Sequence, residues 1–327
     1  MKWIAERMEA AAQDITFEFG TGAIIGAGPV QYAGLRAMAI AAKTLHPLGD
    51  FGFSYAARLL RTLFPSGKRV KVLYDQERTF VFPYGDGYWS LLLNRNHVYE
   101  EEVEVFLRSI KDVDYVFIDC GANYGFWSVH VTSQCFGAHP SVAIEADDET
   151  FELLDYNRML NDGRFDAMRR AVSSEDGTEV HVYGKKHEAR TIVPGNSAVR
   201  RQTVSTIRLD SLTDQPALRN TRPVVLKLDV EGAEIDALNG GKALLERDLV
   251  IVYEDHGSDS DHTVTRHLME TLGMRVFAYE RGRFVPVAKP TDLDAWKTNP
   301  RRGYDFFATK SEFWQDRLAE PTAGPVR

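Results

Sequence analysis

The stretch Val116–Gly125, which reads VFIDCGANYG, constrains the fold of this chain more than any other feature of its sequence. Strand-type residues run into Asp119, and the turn-competent residues Gly121, Asn123 and Gly125 follow. Glycine lets the backbone turn sharply and lets a ligand approach it closely. A helix that begins after such a turn offers unpaired N–H groups and a positive dipole end. The stretch therefore predicts a nucleotide-type cofactor site at the carboxyl end of a parallel strand.

Segments with strand and helix patterns alternate from Tyr99 to Thr309. Such alternation predicts an α/β fold with a doubly wound, mostly parallel, Rossmann-like sheet covered by helices on both faces. A short turn at Arg281-Gly282 indicates an antiparallel addition at one edge of the sheet. The predicted strands are 115–119, 141–145, 167–172, 179–183, 224–229, 249–254, 274–279, 283–287 and 304–309, and the predicted helices are 99–111, 124–134, 148–160, a helix entering at 231, and 261–272.

The remaining segments complete a four-part domain organisation. Helical spacing of apolar residues predicts a helical N-terminal extension over 1–66. Two short alternating stretches predict a β-hairpin and connector over 67–98. The main domain is expected over 99–315, with a flexible tail over 316–327.

Bulk properties exclude several classes of protein. The chain has 327 residues and two cysteines, which form neither a disulfide framework nor a metal-ligand pattern. No signal-peptide pattern and no run of ~18 apolar residues is present, so a cytoplasmic location is expected. The net charge of −8 argues against nucleic acid as a partner. The segment 31–71, however, contains seven Lys or Arg and only one acid, Asp50. Either a solvated surface or a peripheral membrane contact is therefore expected there.

Acidic residues at two strand ends narrow the choice of cofactor. A nicotinamide-binding turn would read G-x-G-x-x-G and hold a pyrophosphate, whereas Asp119 stands at the first glycine position here. An acid at that position repels phosphate and suits an ammonium group. Glu145 ends the next predicted strand, where an acid accepts hydrogen bonds from both ribose hydroxyls. A site for an amino-acid group beside a site for a ribose indicates S-adenosylmethionine as the cofactor.

The stretch Leu226–Glu234, LKLDVEGAE, forms a third motif. Asp229 follows an apolar strand, at the edge where open α/β sheets bind ligands. Glu231 and Glu234 are expected in the first turn of the next helix, either as dipole-favoured acids or as catalytic groups. Lys227 shares the sheet face of Asp229 and requires a charged partner, because an unpaired buried ammonium is costly.

With these motifs the sequence resembles the FkbM family of S-adenosylmethionine-dependent methyltransferases. The resemblance begins at Tyr99-Glu100, where Glu100 is expected as an acid in the first turn of a helix, and it covers about 99–256. Cys120 and Ala146 are departures that remove no polar contact. The resemblance implies a seven-stranded class I methyltransferase sheet. It also implies methylation of hydroxyl groups on saccharides or secondary metabolites, without identifying the acceptor. The implied cofactor-binding residues are Asp119, Gly121, Ala122, Asn123, Gly125, Glu145, Ala171 and Asp229.

The predicted strand end Glu254-Asp255-His256 lies beside that of Asp229. Methylation of an oxygen requires removal of a proton, and His256 is the natural base because its ordinary pKa is near neutral. Asp229 would orient the cofactor or the acceptor hydroxyl, and Lys227 completes the catalytic set. A structural or solvent-facing His256 is the alternative. No metal is predicted, because the acids and the histidine lack a regular ligand spacing.

The loop 184–202 carries six basic or histidine side chains against Glu188. It is expected either to be a plain solvated loop or to favour an anionic acceptor, and a lipid-linked glycan would suit the basic segment 31–71. Two other functions remain open. One is a nicotinamide-dependent oxidoreductase, and the other is a catalytically inactive scaffold that binds S-adenosylmethionine.

Overall fold

The computed structural model describes residues 14–184, 187, 190–193, 200–219 and 222–320. The chain divides into two compact units. The first comprises Met1–Tyr99 with Met159–Asn161, and the second comprises Glu100–Arg158 with Asp162–Arg327.

The first unit contains a four-stranded sheet in the order β2-β1-β3-β4. Helix α1 packs through Leu35, Met38 and Ala42, and helix α2 through Phe53 and Ala57. The elements are β1 (Ile15–Glu18), β2 (Ile24–Ile25), α1 (Pro29–Leu45), α2 (Phe53–Leu63), β3 (Arg69–Leu73) and β4 (Thr79–Pro83).

The sequence had predicted a helical N-terminal extension, but the extension also contains the strands β1 and β2. Strand β1 pairs in parallel with β3, so the extension and the β-hairpin share one sheet. Four residues of β1 are too few to establish an alternating pattern, and its pairing partner lies far along the chain. The part of the predicted extension before residue 14 lies outside the described residues.

The second unit contains a central sheet in the order β14-β13-β15-β12-β11-β5-β6-β7. Strands β7, β6, β5, β11 and β12 are parallel, while β15, β13 and β14 join by antiparallel pairing. The strands are β5 (Val116–Cys120), β6 (Ser141–Glu145), β7 (Asp166–Arg169), β11 (Val224–Leu228), β12 (Leu249–Glu254), β13 (Arg275–Glu280), β14 (Arg283–Val287) and β15 (Asp305–Thr309).

The doubly wound α/β prediction is confirmed, but the described residues give this sheet eight strands where seven were expected. The additional strand is β14, which the Arg281-Gly282 turn folds back onto β13. The predicted strand 167–172 is divided. Its first part is β7, while β8 (Ala171–Val172) joins β9 (Glu179–Tyr183) and β10 (Arg200–Ile207) in a separate sheet ordered β8-β10-β9.

Helices cover the central sheet, and β5, β6 and β11 are buried along their whole length. Helix α8 includes 316–319, which the sequence had placed in a flexible tail, and residues 321–327 lie outside the described part. Among the described residues, no helix combines the length and apolar character needed to cross a membrane. The helices are α3 (Glu101–Ser109), α4 (Phe126–Val131), α5 (Asp148–Leu160), α6 (Glu234–Asn239), α7 (Thr263–Arg266) and α8 (Glu312–Ala319).

Candidate functional site

The predicted site residues of β5, β6 and β11 meet at one edge of the central sheet. Because these strands are parallel and adjacent, their carboxyl ends lie side by side. Asp119 is directly opposite Lys227 across the β5–β11 pair, and Glu145 ends β6. Asp119 and Glu145 therefore flank the glycine turn that follows β5, as the sequence predicted.

Lys227 is the centre of a buried charge network at this edge. Its side chain is 4% exposed, and its Nζ lies 3.0 Å from Asp229 Oδ2 and 3.6 Å from Glu100 Oε2. Glu100 Oε2 also accepts a hydrogen bond from Trp127 Nε1 at 2.6 Å. Burial lowers the pKa of the Lys227 ammonium, but the combined attraction of the surrounding carboxylates outweighs it and holds that pKa well above its usual value. Lys227 therefore stays charged and fixes Asp229 in position.

Asp119 is almost completely buried, with 2% of its surface exposed. Ser128 Oγ, from the first turns of α4, donates to Asp119 Oδ2 at 2.8 Å. Within the described residues, no hydrogen bond reaches the other carboxylate oxygen. Burial raises the pKa of Asp119 to about 6, against the opposing attraction of Lys227.

Glu145 is held by two backbone groups. The N–H of Asn123 donates to Oε2 at 3.0 Å, and the N–H of Asp147 donates to Oε1 at 2.9 Å. Burial raises the pKa of Glu145 to about 8, although these hydrogen bonds oppose the shift. A carboxylate has about four lone-pair sites, so each fixed oxygen can still accept one more hydrogen bond. The geometry suits a ligand with two adjacent hydroxyl groups.

The N–H groups of the glycine turn itself are already hydrogen-bonded within the protein. The N–H groups of Gly121 and Ala122 both donate to the carbonyl of Ile144, at 2.9 and 3.0 Å. The N–H of Gly125 donates to Ala122 O at 2.7 Å. Since the N–H of Asn123 donates to Glu145, the turn uses its donors to attach itself to β6. No such set of donors remains there for a pyrophosphate.

Gly121 allows β5 and β11 to approach each other closely at this edge. It has a φ of +79°, and a Cβ at this position would lie 1.8 Å from the carbonyl oxygen of Asp229. The Asp229 N–H in turn donates to Cys120 O at 3.0 Å. A residue larger than glycine would force apart the strand ends that carry Asp119 and Asp229.

Further carboxylates extend the site along the β11 and β12 ends. Glu254 ends β12 and is directly opposite Asp305, the first residue of β15. Glu231 lies between β11 and α6 and not in the first turn of a helix, where the sequence had placed it, because its backbone is left-handed with a φ of +53°. Glu234 is the first residue of α6. Its Oε1 accepts hydrogen bonds from the N–H groups of Val230 and Gly232 at 3.2 and 3.1 Å.

Desolvation and mutual repulsion make these carboxyls weak acids. Burial, followed by the charge of Asp229, raises the pKa of Glu231 to about 9. The same two causes raise the pKa of Glu254 to about 8. Burial and the charge of Glu100 raise the pKa of Asp305 well above its usual value. Groups that exchange protons near neutral pH are therefore concentrated at this edge.

His256 lies two residues beyond β12 and is exposed. The N–H of Ser258 donates to its Nδ1 at 3.2 Å, and Ser258 Oγ lies 2.6 Å from the same atom. Because a backbone N–H can only donate, Nδ1 is the acceptor and the ring proton lies on Nε2. In this conformation the remaining ring nitrogen is a donor and cannot take a proton. The geometry therefore favours the solvent-facing alternative for His256.

Two other predicted cofactor residues lie in apolar surroundings. Ala122 is buried with Val129 and Leu154, and Ala171 is buried with Val182 and Val204. Ala146, the residue after Glu145, packs against the cluster of Ala171. Ala171 is therefore connected to the β6 end through apolar contact rather than through a hydrogen bond.

The described part of the basic loop lies over the glycine turn and the start of α5. The ring of His187 stacks on Tyr124 at 4.7 Å, and Asn123 Nδ2 donates to His187 O at 3.3 Å. Arg190 pairs with the buried Asp147 and lies 3.0 Å from Glu149 Oε2. Lys185, Lys186 and the segment 194–199 lie outside the described residues.

Sequence reasoning missed three residues that the structure brings to this edge of the sheet. Glu100 was interpreted as a helix-start acid, whereas it is a partner of Lys227. Ser128 and Asp305 gave no signal, because their contribution depends on helix rotation and strand register. The pair Tyr99-Glu100 does belong to the family resemblance, and that was the available clue to Glu100.

Comparisons with known proteins place this geometry in a class. Residues 119–276, just under half of the chain, match the family model described as the Methyltransferase FkbM domain. The matched segment is an FkbM methyltransferase domain, and it contains Asp119, Glu145, Lys227, Asp229 and His256. The prediction of the family is thus confirmed. A comparison with curated proteins gave no match.

Solved structures give distant likenesses to methyltransferases. A methyltransferase FkbM from Methylobacillus flagellatus KT is 14% identical, with a TM-score of 0.37; the match covers 60% of this chain and 44% of that one. A precorrin-6y C5,15-methyltransferase from Geobacter metallireducens GS-15 is 15% identical, with a TM-score of 0.38 and coverage of 66% and 91%. The P. horikoshii TYW2 in complex with MeSAdo is 13% identical, with a TM-score of 0.34 and coverage of 82% and 86%.

Proposed function

We propose that this chain binds S-adenosylmethionine and transfers its methyl group to a hydroxyl group of a saccharide or secondary metabolite. The observation that carries this proposal is the pair of buried carboxylates, Asp119 and Glu145, on either side of a turn that retains no set of donors for phosphate. The cofactor supplies a methyl group already activated by a cationic sulfonium. The chain's own task is to bind, orient and remove a proton.

The residues present fit this cofactor. Glu145 is fixed by two backbone N–H groups and can accept one ribose hydroxyl on each oxygen. Asp119 keeps one oxygen for the ammonium of the amino-acid portion, while Ser128 holds the other. The acidic edge around Asp229 favours a cation and disfavours a polyanion. Gly121, Ala122, Asn123 and Gly125 shape the turn, and Ala171 adds an apolar contact.

The same observations weigh against the nicotinamide alternative. A pyrophosphate requires N–H donors at the turn, and those of residues 121–123 and 125 are already used. Asp119 would in addition repel the phosphates.

Glu254 is the proton acceptor that the geometry supports best. Its raised pKa of about 8 suits a base that works near neutral pH. Lys227 holds Asp229, which is placed to orient the acceptor or the cofactor. Because His256 presents an N–H at its open nitrogen, its contribution in this conformation would be hydrogen bonding to the acceptor rather than proton removal.

The charge of the site also bears on the acceptor. Asp229 and Glu100 share the single cation of Lys227, so this edge of the sheet has no spare positive charge for an anion. An acceptor with a phosphate or uronate next to the reacting hydroxyl would be repelled there. We therefore propose an acceptor that is uncharged around the methylated hydroxyl group. An anionic acceptor fits this site only if its charged group is distant from that hydroxyl.

Calorimetric titration with S-adenosylmethionine tests the cofactor assignment. Glu145→Gln replaces one acceptor oxygen with an amide donor, so one ribose hydroxyl would lose its partner. We expect binding to weaken by about tenfold to a hundredfold, because a buried polar group without a partner costs roughly 1–3 kcal/mol. Glu152→Gln changes an exposed acid of α5 and is the matched control. Equal affinities for the two variants, or enhanced NADH fluorescence on binding to the parent protein, would overturn the assignment.

Transfer of label from methyl-labelled cofactor to a panel of glycans and metabolites tests the activity and identifies the acceptor. Glu254→Gln is expected to lower kcat strongly with little change in cofactor affinity, whereas His256→Ala is expected to change the pH profile little. The opposite ranking would restore His256 as the base. Cofactor binding without transfer to any acceptor would favour the inactive-scaffold alternative.

A further inference from the structure

Exposed apolar side chains are concentrated in the first unit. Of the twelve large hydrophobic side chains exposed among the described residues, nine lie between Ile25 and Leu63. The nine are Ile25, Val30, Tyr32, Ile40, Leu48, Phe51, Tyr55, Leu59 and Leu63, with exposures from 48% to 73%. Isolated exposed hydrophobic residues are ordinary, whereas a group concentrated in one segment points to an interaction surface.

Helix α2 organises part of this group into a stripe. Tyr55, Leu59 and Leu63 are four residues apart on the helix and are 73%, 60% and 62% exposed, and Phe51 continues the spacing just before the helix begins. The opposite side of α2 buries Phe53 and Ala57 in the unit's core. Because one side already supplies the core contact, the outer stripe has no role in folding this unit.

Basic side chains accompany the stripe. Arg58 and Arg61 are exposed on α2, and Arg36 and Lys43 are exposed on α1. Both helices lack acids, and Asp50 lies in the connection between them. Arg69, by contrast, is paired with Asp14 at 2.9 Å and does not contribute free charge. An apolar stripe with cationic neighbours and almost no acids is complementary to an anionic lipid surface.

We propose that the surface of α1 and α2, here called the α1–α2 face, binds the surface of membranes that contain anionic phospholipid. The stripe of Phe51, Tyr55, Leu59 and Leu63 enters the boundary between headgroups and acyl chains. Arg36, Lys43, Arg58 and Arg61 contact the phosphates. The face is peripheral, since no described helix crosses a membrane. This proposal does not depend on the cofactor or on the reaction.

Cosedimentation of the full chain with vesicles tests the proposal. We expect binding to phosphatidylcholine vesicles that contain phosphatidylserine, weak binding to phosphatidylcholine alone, and loss of binding at high salt. Binding that is equal for both compositions, unaffected by salt or absent overturns the proposal. Self-association or capture of a protein without vesicle binding also overturns it, because the surface would then serve a protein partner.

Two pairs of variants connect the binding to this face. Tyr55→Ser with Leu59→Ser removes the middle of the stripe, and Met159→Ser removes an exposed apolar side chain elsewhere in the sequence. Arg58→Gln with Arg61→Gln is expected to weaken binding about tenfold or more, since each basic residue near an anionic surface adds appreciable affinity. Arg281→Gln, at an arginine 88% exposed, is the charge control. Controls that lose as much binding as the test variants contradict the proposal.

A second inference rests on an independent group, His46, Asp50 and His97. Nδ1 of His46 lies 3.4 Å from Asp50 Oδ1, and Nδ1 of His97 lies 3.5 Å from Asp50 Oδ2. The ligand atoms of the three side chains all lie within 4.8 Å of one another. Their side chains are 42%, 20% and 11% exposed, in the order His46, Asp50, His97, so the group is accessible but partly enclosed.

The two distances between a histidine nitrogen and an Asp50 oxygen are longer than those of strong hydrogen bonds. Charge-assisted N–H···O bonds are typically about 2.7–2.9 Å long. For tetrahedral zinc with metal–ligand distances of about 2.1 Å, the ligand atoms are roughly 3.4 Å apart. We infer that His46, Asp50 and His97 form a binding site for a divalent cation such as zinc, with a fourth position open to water. This inference departs from the sequence prediction of no metal, which had considered only Asp229, Glu254 and His256 as ligands.

Titration of the full chain with zinc alone, after treatment with a chelator, tests the site. We expect one zinc ion per chain, loss of binding in His97→Ala and in Asp50→Asn, and no loss in His256→Ala, the exposed-histidine control. Cobalt in place of zinc should give the intense visible absorption of a tetrahedral site, and His97→Ala should abolish it. Zinc binding that persists in His97→Ala, or that falls equally in His256→Ala, overturns the inference.

Discussion

At the scale of single residues, Lys227 shows how a charge can be placed inside a sheet. A lysine in a fully buried strand is acceptable only with partners, and Asp229 and Glu100 supply them at 3.0 and 3.6 Å. The resulting network connects β11, the start of α3 and, through Trp127, α4. One cation therefore orients the carboxylate that the reaction is proposed to use.

Lys227→Met should reveal the cost of leaving those carboxylates without their cation. Removal of one partner of a buried ion pair destabilises a protein by about 3–5 kcal/mol. We expect a loss of this size in the free energy of unfolding by urea at pH 7.

Lys242→Met is the matched control, since Lys242 is exposed. Its effect should lie within about 0.5 kcal/mol of zero. A similar loss in both variants would show that the ion pairs of Lys227 contribute nothing beyond an ordinary surface charge.

At the scale of elements, the close approach of β5 and β11 depends on Gly121. A left-handed backbone costs a non-glycine residue about 1–2 kcal/mol, and at Gly121 the contact of a Cβ with the Asp229 carbonyl adds to this cost. We expect Gly121→Ala to lower the free energy of unfolding by several kcal/mol and to abolish cofactor binding.

Gly282→Ala separates the two contributions. Gly282 has a φ of +83°, but no heavy atom lies within 4 Å of a Cβ built there. Urea unfolding of this variant should therefore show only the backbone cost of about 1–2 kcal/mol. If Gly121→Ala and Gly282→Ala lowered the free energy of unfolding equally, the close approach of β5 and β11 would add no cost of its own.

The loop that carries His187 and Arg190 is attached at defined points. Arg190 bonds the buried Asp147, which caps α5 by accepting the N–H of Thr150 at 3.1 Å. We expect Arg190→Met to speed amide hydrogen exchange in the described parts of 184–202 and at the start of α5, because the loop loses its attachment. Arg208→Met, which removes an exposed pair with Asp176, should leave exchange there unchanged.

At the scale of the whole molecule, the buried carboxyls of the second unit determine how stability varies with pH. The pKa of Asp119 is raised to about 6, those of Glu145 and Glu254 to about 8, and that of Glu231 to about 9. Between the ordinary values and these, the folded protein binds more protons than the unfolded chain. The free energy of unfolding therefore falls as pH rises.

We expect the cofactor-free protein to lose stability, on the order of a few kcal/mol, between about pH 5 and pH 9. Urea unfolding across that range measures the loss. Glu254→Gln should flatten the profile between about pH 5 and pH 8, because it removes one group that binds its proton more tightly in the folded protein than in the unfolded chain. Stability that rises steadily up to pH 9 would contradict the assigned protonation of the site.

The sequence determined the residues of the site because they belong to local patterns. Asp119 and Glu145 end apolar runs, and each run is long enough to identify a buried strand. Parallel strands in turn require their carboxyl ends to meet at one edge. The strand–helix alternation likewise predicted the doubly wound sheet and its antiparallel edge. The sequence also predicted a charged partner for Lys227, because this lysine interrupts an apolar strand.

Only the tertiary structure decided how these groups are used. The register that places Glu254 opposite Asp305, and the rotation of α4 that turns Ser128 to Asp119, depend on packing between distant segments. The attachment of the glycine turn to Ile144, the tautomer of His256 and the pairing of β1 with β3 have the same origin. Local periodicity specifies which face of an element is buried, but contacts between elements specify which polar groups meet and how strongly each holds its proton.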